Sequence, residues 1–484
     1  MNTVLKTVLG LTTLFLLLGA AMATQEITTV GLSGGNIIVT DRTGATVYSQ
    51  AAGSSDQTAI NYAMNTAYND NGPVYIQPGT YVTSGTITQT KQMRVSGSGK
   101  ASTIIDARHS GVIWQMGTVS TSSIVGDLND LTMQRGSSYR TQNGNVGLYI
   151  PAGGNINEAN FHATGWDFAH ITDVKILYSD KNVLIGTPAS SLVVSQPVAF
   201  DTCQIGAWDD KSTYCVDDEG AFQLRFTNCN IWGFSGSGSA GFYSNYLKND
   251  VWIDNCYIAT AAVRYGYTAG AYGVLFNKGI VARIDNNQFE NAGTANIAIH
   301  ESVDSTILGN NIGGFGGTGA AIIVEPTQGD VLNTRIIGNC VNWYSSSMPG
   351  ILVYKNGAAH TIKGTTIVGN TIDVLGPAGI DVLDAFDTAM SGNVIKADKT
   401  PNNANGLYLA ATSAYSGANI AAAGNSIDMG GSTGTYYGIQ VQNPNVNNFG
   451  WRTFVANTIY PSAGTAISPA GNTADQIEAD NKVA

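Results

Sequence analysis

The sequence predicts an all-β solenoid of stacked parallel coils, and three observations lead there. Charged residues make up only 12% of the 484 residues and apolar residues 43%. That balance is too apolar for disorder and too poor in charged helix formers for a helical bundle. Glycine, the residue of tight turns, occurs 58 times. Finally, a three-position pattern recurs every 23 to 32 residues, the repeat length at which one supersecondary unit stacks on the next.

In chain order, residues 1–23 read as a secretory signal: Lys6 supplies the positive start, Val8 to Leu18 the apolar run, and Ala21-Met22-Ala23 the small-residue cleavage site. The mature chain is expected to begin at Thr24 and to be exported, to the extracellular space or the cell envelope. The apolar run is shorter than the ~20 residues of a bilayer span, no later segment offers one, and the polar end Glu478 to Ala484 carries no lipid signal. Residues 24–55 predict a capping hairpin, with Asn36 to Thr40 and Thr46 to Ser49 flanking the turn Asp41-Arg42-Thr43-Gly44. Asp56 to Ala67 then predicts an amphipathic helix with Asp56 as N-cap. The solenoid is expected over residues 56–484, with no linker to a second domain.

The repeat has a small polar anchor, followed two positions later by a bulky apolar residue and preceded three positions earlier by another. The anchors are Cys203, Cys229, Cys256, Asn287, Asn310, Asn339, Asn370, Asn393, Asn425 and Asn457. Their downstream partners run from Ile205 to Ile459 and their upstream partners from Phe200 to Phe454. A second strand with period-2 alternation precedes each unit from Gly273-Val274-Leu275-Phe276 onward. Parallel stacking at about 4.8 Å per coil turns like positions into columns. A buried Asn column is tolerable because each amide can bond the coils above and below it.

These columns, with the entry motifs Val74-Tyr75-Ile76-Gln77-Pro78-Gly79-Thr80-Tyr81 and Gly97-Ser98-Gly99 followed by Ser102-Thr103-Ile104-Ile105-Asp106, resemble the pectate-lyase-like superfamily. The resemblance covers roughly residues 50 to 475 and implies a right-handed parallel β-helix whose N-terminal helix plugs the open end. It is specific for fold and weak for activity, because this fold carries lyases, hydrolases, epimerases, phage tailspikes and noncatalytic surface proteins. No histidine is flanked by glycines, as the family's galacturonan hydrolases require. Trp252-Ile253-Asp254 is followed by Asn255, where the Ca²⁺-dependent lyases resembled here have His.

Geometry nominates one acid–base candidate. Just past the inward apolar residues of successive coils stand Asn277, His300, Glu325 and Tyr354. Stacking places His300 and Glu325 about 5 Å apart, so that a carboxylate can orient an imidazole for catalysis. Asn277 and Tyr354 would then contact substrate, with Lys278 and Lys355 alongside; a solvated polar column is the bland alternative. The segment Trp208 to Gly220 carries Asp209, Asp210, Asp217 and Asp218, hard oxygens suited to Ca²⁺, although their spacing matches no defined calcium loop and no cofactor is required.

The neighbouring outward row includes Leu275, Ile323 and Leu352, an apolar stripe that either the chain's own loops or another copy of the protein must cover. Five cysteines leave one without an internal partner. Cys203, Cys229 and Cys256 read as core, while Cys215 and Cys340, too far apart along the stack to bond each other, suit disulfides between molecules.

The formal charge of −11 disfavours nucleic acid. The leading expectation is an exported structural protein that self-assembles into a cell-surface or extracellular layer, sheath or filament, with other copies of itself as partners. The alternatives are a secreted carbohydrate-active enzyme, a polysaccharide lyase or glycoside hydrolase, and a noncatalytic glycan-binding surface protein.

Overall fold

The computed structural model describes residues 27–483 except 70–71, 92, 118–125, 141–142, 153–168, 189–196, 247–249, 261–269, 315–318, 344–346, 356–358, 374, 398–403, 411–417, 434–435, 443–448, 461–464, 470–475 and 480. The signal segment expected at 1–23 lies outside the described residues.

The expected solenoid is present. Each coil contributes one strand to each of three long parallel sheets, visited in the order sheet 3, sheet 1, sheet 2. One coil runs through Tyr272–Lys278, Val281–Asp285 and Gln288–Glu290, and the next through Ala295–Ile299, Thr306–Leu308 and Asn311–Gly314. Pairing is in register, so inward residues stack on their own kind: Ile253, Ile284, Ile307 and Ile336 in sheet 1, and Val274, Ile297, Ile322 and Ile351 in sheet 3. All of these are buried. On the three coils after Ile299 a short extra sheet, Ser302–Val303, Val331–Leu332 and Ile362–Lys363, widens the corner between sheets 3 and 1.

The corner between sheets 1 and 2 is tight and is made by two adjacent residues. The first takes a left-handed conformation on coil after coil: Asn228, Asn255 and Asn286 at φ 52–56°, Gly309, Gly338, Gly369, Gly392 and Gly424 at φ 62–65°. Asn and Gly reach this region at least cost. Ala456, at φ 56°, occupies the same place without either advantage. The second residue is the anchor, and its amide does what the repeat implies. Asn310 donates from its backbone N and its Nδ2 to Asn339 Oδ1 at 3.0 and 2.9 Å, and from Nδ2 to the Ile284 carbonyl at 2.8 Å. The same three bonds recur at Asn287, Asn339, Asn370, Asn393, Asn425 and Asn457.

The ladder is longer than the sequence repeat indicated. Asn457 bonds Asn481, on a further coil built from Thr465–Pro469, Gln476–Ala479 and Lys482–Val483. The pattern is hard to read there because Glu478 replaces the upstream apolar residue. Upstream of Cys203 the anchor slot is apolar, holding Leu131 and Val174.

At the N-terminal end Thr28–Ser33, Asn36–Thr40 and Thr46–Ala51 pair antiparallel, and the first also pairs parallel with Val74–Ile76, joining sheet 1. Helix α1, Gln57–Asn69, buries Ala59, Ile60, Ala63, Met64 and Ala67 against the first two of these strands and Ile87–Gln89. Asp56 is not the side-chain cap expected of it. Its carboxylate accepts from Gly53 N at 3.0 Å and Val82 N at 2.7 Å, tying the helix entrance to the first coils instead.

Two substitutions test this account by urea unfolding. Asn339→Ala leaves two buried N–H groups of Asn310 without an acceptor and should lower stability by about 2–4 kcal/mol. Ala456→Gly relieves the left-handed position and should raise it by about 1 kcal/mol.

Candidate functional site

The outer face of sheet 3 carries the candidate acid–base residues. Its strands present outward rows whose members are neighbours on successive coils. One row runs Asp217, Tyr243, Leu275, Ala298, Ile323, Leu352, Asp381, Tyr408. The row along the edge nearest sheet 1 carries the residues singled out from the sequence, Asn277, His300, Glu325 and Tyr354. Strand pairing continues past them, with His300 N donating to the Phe276 carbonyl and Glu325 N to the Ile299 carbonyl, both at 2.9 Å.

The edge row begins two coils earlier than the sequence reading placed it. Asn245 Nδ2 donates to Glu219 Oε2 at 3.3 Å, and Asn277 Nδ2 donates to Asn245 Oδ1 at 3.0 Å. Asn277 Oδ1 then lies 3.1 Å from His300 Nδ1. Because an amide oxygen only accepts, Nδ1 is the protonated ring nitrogen and Nε2 carries the lone pair. The imidazole is therefore oriented by Asn277, not by Glu325 as the coil spacing had implied; Glu325 stands on the next coil without a side-chain hydrogen bond among the described residues. Burial pushes the His300 pKa down to about 4, so the ring is neutral near pH 7. Tyr272 meets it edge-on with ring centroids 6.2 Å apart.

Upstream, Tyr214 and Tyr243 stack at 4.6 Å, and Lys181 Nζ lies 2.5 Å from Asp217 Oδ2. Burial raises the Asp217 carboxyl, with Lys181 opposing the shift. Burial and then the Asp217 charge raise Glu219. Further along the face, burial pushes Asp381 up to about 7. The face thus carries a neutral imidazole with an available lone pair, carboxyls of raised pKa and a run of partly exposed tyrosines. Glu219, Asn245, Tyr243 and Lys181 were missed because they lie upstream of Gly273, where the alternating strand pattern first becomes legible, and a register shift between Ser244 and Asn245 further obscures the position of Asn245.

Three expectations are corrected. The apolar stripe is not an open assembly surface: Leu275, Ile323 and Leu352 are only 7–8% exposed, packed with Ala298 and Ala320 beneath Tyr243, Tyr272, Met348 and Tyr354. Cys215 cannot bond a neighbouring molecule, because it is fully buried and its thiol donates to the Trp232 carbonyl at 2.9 Å. Cys203, Cys229 and Cys256 are buried as expected, and Cys340 is exposed.

The four aspartates do not converge on a cation. Asp209 meets Tyr178 Oη and Arg140, whereas Asp210 accepts from Tyr178 N, Asn182 Nδ2 and Lys211 N. Asp217 pairs with Lys181, and Asp218 accepts from Gly220 N, Ala221 N and Ser244 Oγ. Among the described residues no acidic, His or Cys cluster suits a metal, and no helix is long and apolar enough to cross a membrane.

No protein-family model matches the chain, and no curated protein is significantly similar to it. Among solved structures it is similar to the A-module of the Azotobacter vinelandii mannuronan C-5 epimerase AlgE6, at 15% identity over 89% of this chain and 95% of that one, with a TM-score of 0.39. It is similar to bacteriophage CBA120 tailspike protein 3, at 14% identity over 88% and 58% of the two chains, with a TM-score of 0.41. A third is PfbA, a surface adhesin of Streptococcus pneumoniae, at 14% identity over 86% and 88%, with a TM-score of 0.35. Such likeness concerns architecture and assigns no residue a role.

His300 makes stability pH-dependent in a defined window. The unfolded chain takes up this proton near 6.5, whereas the folded ring does so only near 4. Between these values the unfolded state binds more protons, so stability falls as pH is lowered from about 6.5 to about 4. His300→Gln should flatten that part of the profile, measured as denaturant midpoints from pH 4 to 7.5.

Proposed function

We propose that this protein is an exported polysaccharide-processing enzyme, a lyase or glycoside hydrolase, that binds its substrate along the outer face of sheet 3. One observation carries the reading: the hydrogen-bonded series Glu219, Asn245, Asn277, His300, which fixes one tautomer and leaves Nε2 able to accept a proton. A fixed neutral imidazole beside a carboxylate suits acid–base chemistry on a sugar. His300 is assigned as proton acceptor and Glu325 as the second acid–base group. Asn277 positions the ring, and Tyr243, Tyr272 and Tyr354 offer apolar ring surface and hydroxyls to sugar units on neighbouring coils. Export rests on the signal at residues 1–23.

The test is turnover by residues 24–484 on a panel of acidic and neutral polysaccharides, read as reducing ends and as absorbance from unsaturated products. His300→Ala should lower turnover by about 10²–10⁴-fold, and Glu325→Gln should also lower it, without loss of thermal stability. Turnover unchanged in both variants would remove this face from the mechanism.

Self-assembly into a layer retains one favourable observation, the exposed Cys340 thiol. A disulfide-linked assembly would give a particle mass in light scattering that collapses on reduction or in Cys340→Ser. A monomer of constant mass would leave the enzyme reading alone.

A further inference from the structure

Sheet 2 presents a second surface, separate from the acid–base groups. Its outward rows run Asn230, Tyr257, Gln288, Asn311, Cys340 and, beside them, Trp232, Ala259, Glu290, Gly313, Asn342. Where the second row drops to Gly313, between Glu290 and Asn342, the surface sinks. One cavity of about 240 Å³ lies among Gln288, Glu290, Asn311, Gly313 and Asn342. A second, of about 320 Å³, adjoins it over the corner between sheets 1 and 2 and shares Gln288 and Asn311 with the first.

Carboxamides are the commonest groups in the lining of this double cavity, among them Asn230, Asn255, Asn286, Gln288, Asn311 and Asn342, and they both donate and accept hydrogen bonds without carrying charge; Phe289, Tyr257, two cysteines and glycines make up most of the rest. The one carboxylate, Glu290, is already engaged, with Oε2 accepting from Tyr257 Oη at 2.7 Å and Oε1 from Gln288 Nε2 at 2.9 Å. At the upstream end stands an aromatic cluster: Trp208 and Trp232 stack at 4.8 Å, and Tyr257 meets them at 6.1 and 6.0 Å. All three rings are only half-buried.

We infer that this track is a binding site for an uncharged glycan chain. Aromatic rings offer apolar faces to the C–H faces of sugar rings, and carboxamides match the paired donor and acceptor character of hydroxyls. Charge contributes little, which distinguishes this surface from sheet 3, where Lys181, Asp217 and His300 gather. The coils repeat at about 4.8 Å, so a chain laid along the solenoid meets the side chains of Asn230, Tyr257, Gln288 and Asn311 in turn. The site would hold polysaccharide against the protein without acting on it, and it stands whether or not sheet 3 is catalytic.

Intrinsic tryptophan fluorescence and calorimetry test this, with soluble neutral oligosaccharides (glucan, xylan and mannan series) and a polyuronate as probes. Binding of a neutral series should survive His300→Ala and weaken at least tenfold in Trp232→Ala and in Gln288→Ala. Gln288→Ala replaces a side chain on an exposed face and serves where the tryptophan variant proves unstable by circular dichroism. Three outcomes overturn the proposal: no neutral oligosaccharide binds, only the polyuronate binds, or binding is lost in His300→Ala and retained in Gln288→Ala. Loss of turnover in His300→Ala with neutral binding intact separates the two surfaces.

Discussion

The whole architecture depends on satisfying buried backbone at one corner. Turning a chain sharply between two parallel sheets strips peptide groups of ladder partners, and the coils above and below exclude water from them. Eight amides in line meet that demand, and the six between the two ends each use the oxygen twice and the nitrogen twice. A buried donor without a partner costs more than a made bond returns, so the column both permits the bend and locks its register. With register locked, every other position on the coil acquires a fixed address. Residues scattered some thirty apart in sequence then become a continuous row on one face.

That is why so much of the fold could be read in advance. The anchor and its two apolar companions are periodic because the physical demand is periodic, and Ile253, Ile284, Ile307 and Ile336 stack as their spacing implies. Legibility fails where the chain departs from the repeat. The coil through Asn481 was lost because Glu478 breaks the apolar companion position, and Asp56 was misread because its partners, Gly53 and Val82, belong to tertiary rather than helical structure.

The candidate surface was half legible for the same reason. Coil stacking brought out Asn277, His300, Glu325 and Tyr354 as one column, but spacing cannot say which neighbour an imidazole will choose. His300 turns toward the amide below it, not the carboxylate above. Sequence also could not show that a row of Leu275, Ile323 and Leu352 is roofed by tyrosines and a methionine, since outward and exposed are different properties once side chains fold over a sheet. Cys215 is enclosed for a different reason: it belongs to the solenoid core.

The anchor column also changes material partway along. Up to and including Cys256 it is built of Leu131, Val174 and three thiols, and from Asn287 onward of amides. Thiols bond weakly and adaptably, whereas a file of aligned amides polarises along its length and strengthens as it grows. In a solenoid each coil is held only by its neighbours, so this change is a seam. The two stretches differ in how their coils are tied together, by amide-to-amide hydrogen bonds in one and by packed thiols and apolar side chains in the other. The candidate acid–base row spans that junction, with Glu219 and Asn245 on thiol-backed coils and Asn277, His300 and Glu325 on amide-backed ones.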